Sequence, residues 1–249
     1  MTDGTTGSGR WLRRHRARPG APRLVCFPHA GGSASSYQGW ARALAPAAEV
    51  LAVQYPGRED RFEEPLAASL EELADEIAAA LPVTAGRPLV LFGHSMGAMV
   101  AFEVARRIER ACPGGLARLC VSGRPAPHAA PASTVHLLSD EALVADLRTM
   151  AGTSDTILDN GDFRSLFLPT IRGDYRLIAG YRPDPEARVA APVSAFCGTD
   201  DPHVRPREVL RWAEVTGGGF DSRVFTGGHF YLQDRLPEVV AEVARLLVP

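Results

Sequence analysis

From Arg23 onward, short apolar runs alternate with helix-like stretches, the pattern expected when helices cover both faces of a parallel sheet. Runs such as Leu24-Val25-Cys26-Phe27 and Leu89-Val90-Leu91-Phe92 are apolar at every position, not every second one, which marks strands buried on both sides. The pattern predicts strands near 23–27, 49–55, 88–92, 117–122, 192–197 and 221–225. It predicts helices over 36–46, 69–81, 96–110, 205–214 and 234–247.

The alternation breaks between about Pro125 and Arg188. There Ser139 is a suitable cap for a helix whose Leu143, Val144, Leu147 and Met150 share one face. A second stretch repeats Phe163, Leu166, Phe167, Ile171, Tyr175 and Ile178 at helical spacing, with Pro169 and Gly173 expected to kink or divide it. The block 125–188 reads as a helical insertion above the sheet. Residues 1–22 differ again, with five arginines against Asp3 and several glycines and prolines, and read as a flexible arm anchored by Trp11 and Leu12. Residues 23–249 then form a single α/β domain.

Composition narrows the chemistry. All 27 basic residues are arginine, so lysine Schiff-base or general-base mechanisms and a Walker lysine are excluded. A net charge of −2 gives no electrostatic reason to expect nucleic acid as a partner. The four cysteines lack metal-ligand spacing, and no metal is expected. No apolar run reaches membrane-spanning length, and the N-terminal region lacks the apolar stretch of a secretory signal, so a cytoplasmic protein with no membrane association is the expectation.

The sharpest chemical signal is Gly93-His94-Ser95-Met96-Gly97, which follows a strand-like run and precedes Ala98–Arg107, an apolar-rich stretch free of Gly and Pro. This strand–turn–helix context suits a nucleophile elbow, in which a strained turn exposes Ser95 and glycines at 93 and 97 let strand and helix pass closely. The α/β-hydrolase fold follows as the expectation: a mostly parallel central sheet flanked by helices, with the insertion as a helical lid. In that arrangement the base follows the serine in the chain. Among the histidines beyond Ser95, only His229 lies between a late strand and the final helix, after the Thr226-Gly227-Gly228 turn. The acid belongs after the strand 192–197, where Asp200 and Asp201 compete. One oxyanion donor is the Met96 N–H, and the glycine-rich turn at His29-Ala30-Gly31-Gly32 supplies the other at Ala30. Phe163, Phe167 and Tyr175 of the lid are candidates for an acyl-chain surface.

Five segments, Leu24–Gly32 (LVCFPHAGG), Tyr55–Arg61 (YPGREDR), Gly93–Gly97 (GHSMG), Asp201–Val204 and Gly227–Phe230, together with Leu147-Arg148 and Asp174–Leu177, resemble the type II thioesterases of polyketide and nonribosomal peptide synthesis. The family's catalytic serine, aspartate and histidine match Ser95, Asp201 and His229, which favours Asp201 over Asp200, and its oxyanion donors match Ala30 and Met96. Met150-Ala151-Gly152-Thr153-Ser154 departs from the family's usual Gly-Gly-Thr-Pro. The resemblance implies an editing enzyme that clears stalled acyl groups from the phosphopantetheine thiol of acyl or peptidyl carrier proteins. It implies no cofactor of the enzyme's own, and a monomer is the default. A carboxylesterase or lipase for small esters, a chain-terminating cyclase and a noncatalytic α/β-hydrolase-fold binding protein are the rival readings.

Overall fold

The computed structural model describes residues 8–14, 18–84, 86–150, 152 and 155–247, with the side chains of residues 8, 155, 157 and 163 excepted. Seven strands form one sheet: β1 (Leu12–Arg14), β2 (Arg23–Phe27), β3 (Glu49–Val53), β4 (Leu89–His94), β5 (Arg118–Ser122), β6 (Val193–Gly198) and β7 (Phe220–Phe225). The order is β1-β3-β2-β4-β5-β6-β7, with β1 antiparallel to β3 and every other pair parallel. The α-helices are α1 (Ser8–Trp11), α2 (Gln38–Leu44), α3 (Leu70–Ala80), α4 (Met96–Ala111), α5 (Asp140–Met150), α6 (Asp155–Asp159), α7 (Gly161–Gly180), α8 (Pro206–Val209), α9 (Tyr231–Asp234) and α10 (Leu236–Leu246).

The uninterrupted apolar runs become central strands because successive side chains enter opposite cores. Val25, Phe27, Leu91 and Val121 pack on the face of α3 and α4, whereas Leu24, Cys26, Val90 and Phe92 pack on the face of α2 and α10. Helix α3 shows the complementary logic. Ser69 accepts the Glu72 N–H at its start (3.0 Å), and Leu70, Leu73, Ala74 and Ile77 are buried at helical spacing.

Two expectations need correction. Part of the 1–22 arm is ordered: Leu12–Arg14 pairs with Leu51–Val53, the Trp11 carbonyl accepts the Gln54 N–H at 2.9 Å, and the Arg61 guanidinium stacks 4.1 Å from the Trp11 ring centroid. The anchors Trp11 and Leu12 thus act through an edge strand; residues 1–7 and 15–17 lie outside the described ones. The second correction concerns division of the helix at Pro169 or Gly173: α7 runs unbroken through both. Packing on both sides of the proline holds it: Leu168, Ile171, Leu177 and Ile178 are buried, and a Cβ on Gly173 would collide with Leu66. Gly173 therefore permits close approach instead of a break.

Candidate active site

The strand order reverses between β2 and β4: from β2 the chain moves outward to β3, then returns to β4 on the other side. Loops leaving the carboxyl ends of two such strands diverge and open a crevice, the usual ligand position in parallel sheets. Phe27 and Gly93 are register partners, so the turn Pro28–Gly32 and the Ser95 elbow emerge side by side.

Ser95 has φ 55° and ψ −117°, one of two non-glycine residues with positive φ among those described, and its N–H is held by the Ser122 carbonyl at 2.8 Å. Strain of this kind persists only when neighbours enforce it. Here a Cβ on Gly93 would lie 2.7 Å from Ala98 Cα, and one on Gly97 would lie 2.6 Å from the Pro28 carbonyl oxygen. The elbow, α4 and the β2 loop therefore pack backbone to backbone.

His229 is buried, and its Nδ1 lies 2.7 Å from Asp201 Oδ2. A carboxylate accepts, so Nδ1 carries the proton and the lone pair sits on Nε2. Asp201 is aimed by its own turn, since Oδ1 accepts the N–H groups of His203 (2.9 Å) and Val204 (3.2 Å). Asp200 is exposed and bonds the Thr199 hydroxyl at 2.8 Å. The turn thus separates two adjacent carboxylates that residue type alone could not.

On the β2 side, the Gly32 N–H bonds the His29 carbonyl (2.9 Å) and the Gly31 N–H bonds Asp174 Oδ2 (2.7 Å), whereas the Ala30 N–H has no partner among the described residues. Met96 occupies the first position of α4, where an N–H has no intrahelical acceptor. Its side chain is wholly in the core.

A cavity of about 80 Å³ joins these groups, lined by Ser95, Ala30 and His229 together with Leu147, Met150, Phe167, Ile171, Tyr175 and Phe230. Helices α5 and α7 therefore supply much of its apolar wall. Of the three aromatic candidates, Phe167 and Tyr175 line it, and the Phe163 side chain lies outside the described residues. Leu147, Met150 and Ile171 were visible in the sequence as members of apolar helix faces, and not as site residues. His29 and Phe230 carried no separate signal; their rings meet edge to face at 4.8 Å.

Burial, followed by the nearby His229 and Arg58, pushes His29 down to about 3. His94 is driven well below its ordinary range by burial first, then by His229 and His29. Its Nδ1 lies 2.9 Å from Ser122 Oγ, which lies 2.5 Å from the Tyr231 hydroxyl. Both rings are thus neutral companions to His229.

The profile of the thioesterase-domain family matches residues 22–247. The chain is 44% identical to a probable cadicidin biosynthesis thioesterase of Streptomyces griseus, over 100% of this chain and 69% of that protein. It is likewise 44% identical to thioesterase PikA5 of Streptomyces venezuelae, over 95% of this chain and 85% of the relative. Among solved structures, the type II thioesterase BorB from the borrelidin biosynthetic cluster superposes with a TM-score of 0.86 at 47% identity, covering 95% of this chain and 97% of BorB.

Proposed function

The chain belongs to the thioesterase-domain family, and within it we propose an editing, type II thioesterase that hydrolyses acyl groups from the phosphopantetheine thiol of carrier proteins. The carrying observation is the convergence of Ser95, the His229–Asp201 pair and the Ala30 N–H, unpartnered among the described residues, on one cavity at the switch point of the sheet.

His229 Nε2 takes the proton of Ser95 Oγ as that oxygen attacks the thioester carbonyl. Ala30 and Met96 N–H groups receive the negative charge on the carbonyl oxygen. Collapse of the tetrahedral species expels the carrier's thiol, which accepts the proton from His229. A thiol with a pKa of about 8.5 leaves readily, so this step needs little acid assistance. His229 then removes a proton from water, whose oxygen attacks the acyl-serine, and returns that proton to Ser95 as the free acid departs. Asp201 orients the imidazole and stabilises its cation. The enzyme itself brings no cofactor; phosphopantetheine arrives on the carrier.

In this reading α5 and α7 act as the lid, with Phe167 and Tyr175 as acyl contacts. The protein works as a cytoplasmic monomer; no helix among the described residues is long and apolar enough to cross a membrane. The test is intact-mass analysis of an acyl-loaded carrier incubated with the enzyme or with Ser95→Ala, beside an equal concentration of the acyl ester without carrier. Loss of the acyl mass with recovery of the free-thiol carrier is expected only with Ser95 intact, the variant losing on the order of 10⁶ in turnover. An unchanged carrier beside rapid ester cleavage would replace this reading with an esterase.

A further inference from the structure

Two residues that the reaction leaves without a task, Arg58 of Pro56-Gly57-Arg58-Glu59 and Asp174 of Asp174-Tyr175-Arg176-Leu177, meet inside the protein. Arg58 Nη1 donates to Asp174 Oδ2 at 2.7 Å and Nη2 donates to Oδ1 at 2.8 Å, with the side chains 5% and 2% exposed. A buried pair of this kind adds little net stability, because desolvation offsets the attraction. Its further hydrogen bonds point to a different role. Asp174 Oδ2 also accepts the Gly31 N–H at 2.7 Å, and Arg58 Nη1 also donates to the Gly32 carbonyl at 3.2 Å. The ion pair thus grips successive residues of the oxyanion turn, one through a donor and the next through an acceptor.

The consequence lies in the amide that remains. With Gly31 bound to Asp174 and Gly32 bound to His29, the Ala30 N–H, which has no partner among the described residues, is left available to a ligand in the cavity that Ala30 lines. Gly31 sits at φ 76°, where glycine moves easily, so the turn has little intrinsic resistance to rotation. External bonds must supply that resistance. Ile171 of α7 closes over the same residue, since a Cβ on Gly31 would lie 2.6 Å from Ile171 Cγ1. A separate bond, from Thr170 Oγ1 to the Gly57 carbonyl at 3.1 Å, docks α7 without touching the turn.

We propose that the Arg58–Asp174 pair is a positioning device for the oxyanion: it fixes the Ala30 N–H toward the carbonyl being attacked. The proposal rests on the roles of Ser95 and Ala30 given above. Asp174 and Arg58 touch no reacting atom and act only through the turn.

The test compares Asp174→Asn, Arg58→Lys, Thr170→Val and Ser95→Ala on an acyl carrier. Readouts are kcat and KM, the Ki of an acyl trifluoromethyl ketone whose hemiketal oxygen occupies the oxyanion position, and amide exchange of the peptide spanning residues 28–33. Asparagine keeps the shape of Asp174, and lysine keeps the charge of Arg58 but not its fork. Both should lower kcat about 10- to 100-fold, less than the 10²–10³ of deleting a donor. KM should stay within about threefold, Ki should rise by about the factor lost in kcat/KM, and exchange should quicken at 28–33. Thr170→Val should soften α7 docking while kcat and Ki hold within about threefold of the parent. Unchanged kcat and Ki in Asp174→Asn and Arg58→Lys, with Ser95→Ala inactive, would overturn the positioning role alone. Equal losses in Thr170→Val would also overturn it, assigning the pair to helix docking in general. Turnover retained by Ser95→Ala would instead remove the nucleophile on which the proposal stands.

Discussion

Gly97→Ala tests whether the site depends on the backbone-to-backbone contact between α4 and the β2 loop. The added Cβ would lie 2.6 Å from the Pro28 carbonyl oxygen and nearer still to that of Phe27, against the 3.0 Å below which real Cβ contacts essentially never occur. No side chain can rotate away, because the opposing atoms are main chain. Relief therefore requires Met96 and Ala30, which stand on the two sides of this contact, to separate by an amount on the order of 1 Å. A misplacement of that size costs about 10²-fold in rate. Overpacking should also destabilise the fold by about 1–3 kcal/mol, which at about 2–4 °C per kcal/mol lowers Tm by roughly 2–12 °C. Steady-state hydrolysis of an acyl carrier gives the first quantity and a thermal melt the second. The two must fall together. A Gly97→Ala enzyme with parental kcat and Tm would show that elbow and loop are not in the contact described, and the account of the oxyanion geometry would fail with it.

Three further outcomes follow from the same site. Asp201→Asn should lower kcat on the order of 10⁴-fold by disturbing the His229 tautomer, whereas Asp200→Asn, at an exposed side chain bonded to the adjacent Thr199 hydroxyl, should stay within about threefold; a larger loss for Asp200→Asn would reverse the assignment. The cavity of about 80 Å³ is well below the roughly 300 Å³ of ordinary ligand pockets. Acetyl and propionyl carriers should therefore exceed a decanoyl carrier in kcat/KM by about tenfold or more, with Met150→Ala narrowing the gap; a parental preference for decanoyl would refute the restriction. His29 and His94 have lowered pKa values in the folded protein, so below about 6.5 the unfolded chain binds more protons. Their stabilising contribution is full above that pH and is lost as pH falls through the lowered folded-state values, so the midpoint in urea should drop between about pH 6.5 and 4.5, less steeply in His94→Gln. An unchanged slope in that variant would mean that His94 is not held neutral by the fold.

What the sequence made legible follows physical rules. Strands β2 to β6 could be read because burial on both faces, or nearly so, leaves apolar runs, and α3 because its cap and buried stripe are local. Strand β1 escaped because an edge strand needs only one anchored position: Leu12 faces the core, while Arg13 and Arg14 look like arm. Pro169 and Gly173 read as helix breakers because their penalty is local, whereas the packing that overrides it comes from residues far away in the chain. The same division runs through the site. Ser95, His229 and Met96 carry their signal in short motifs, and Asp201 could be told from Asp200 only by resemblance, since two adjacent N–H groups in the folded turn make the distinction. Arg58 and Asp174 are 116 residues apart, each in a motif with no evident local use, and nothing in either segment says that they pair. Once paired, they bond the Gly31 N–H and the Gly32 carbonyl of a glycine turn with little rigidity of its own. Long-range polar pairs that grip a glycine turn are thus where a sequence reading of such a site is weakest, because the chemistry lies in one segment and its alignment in two others.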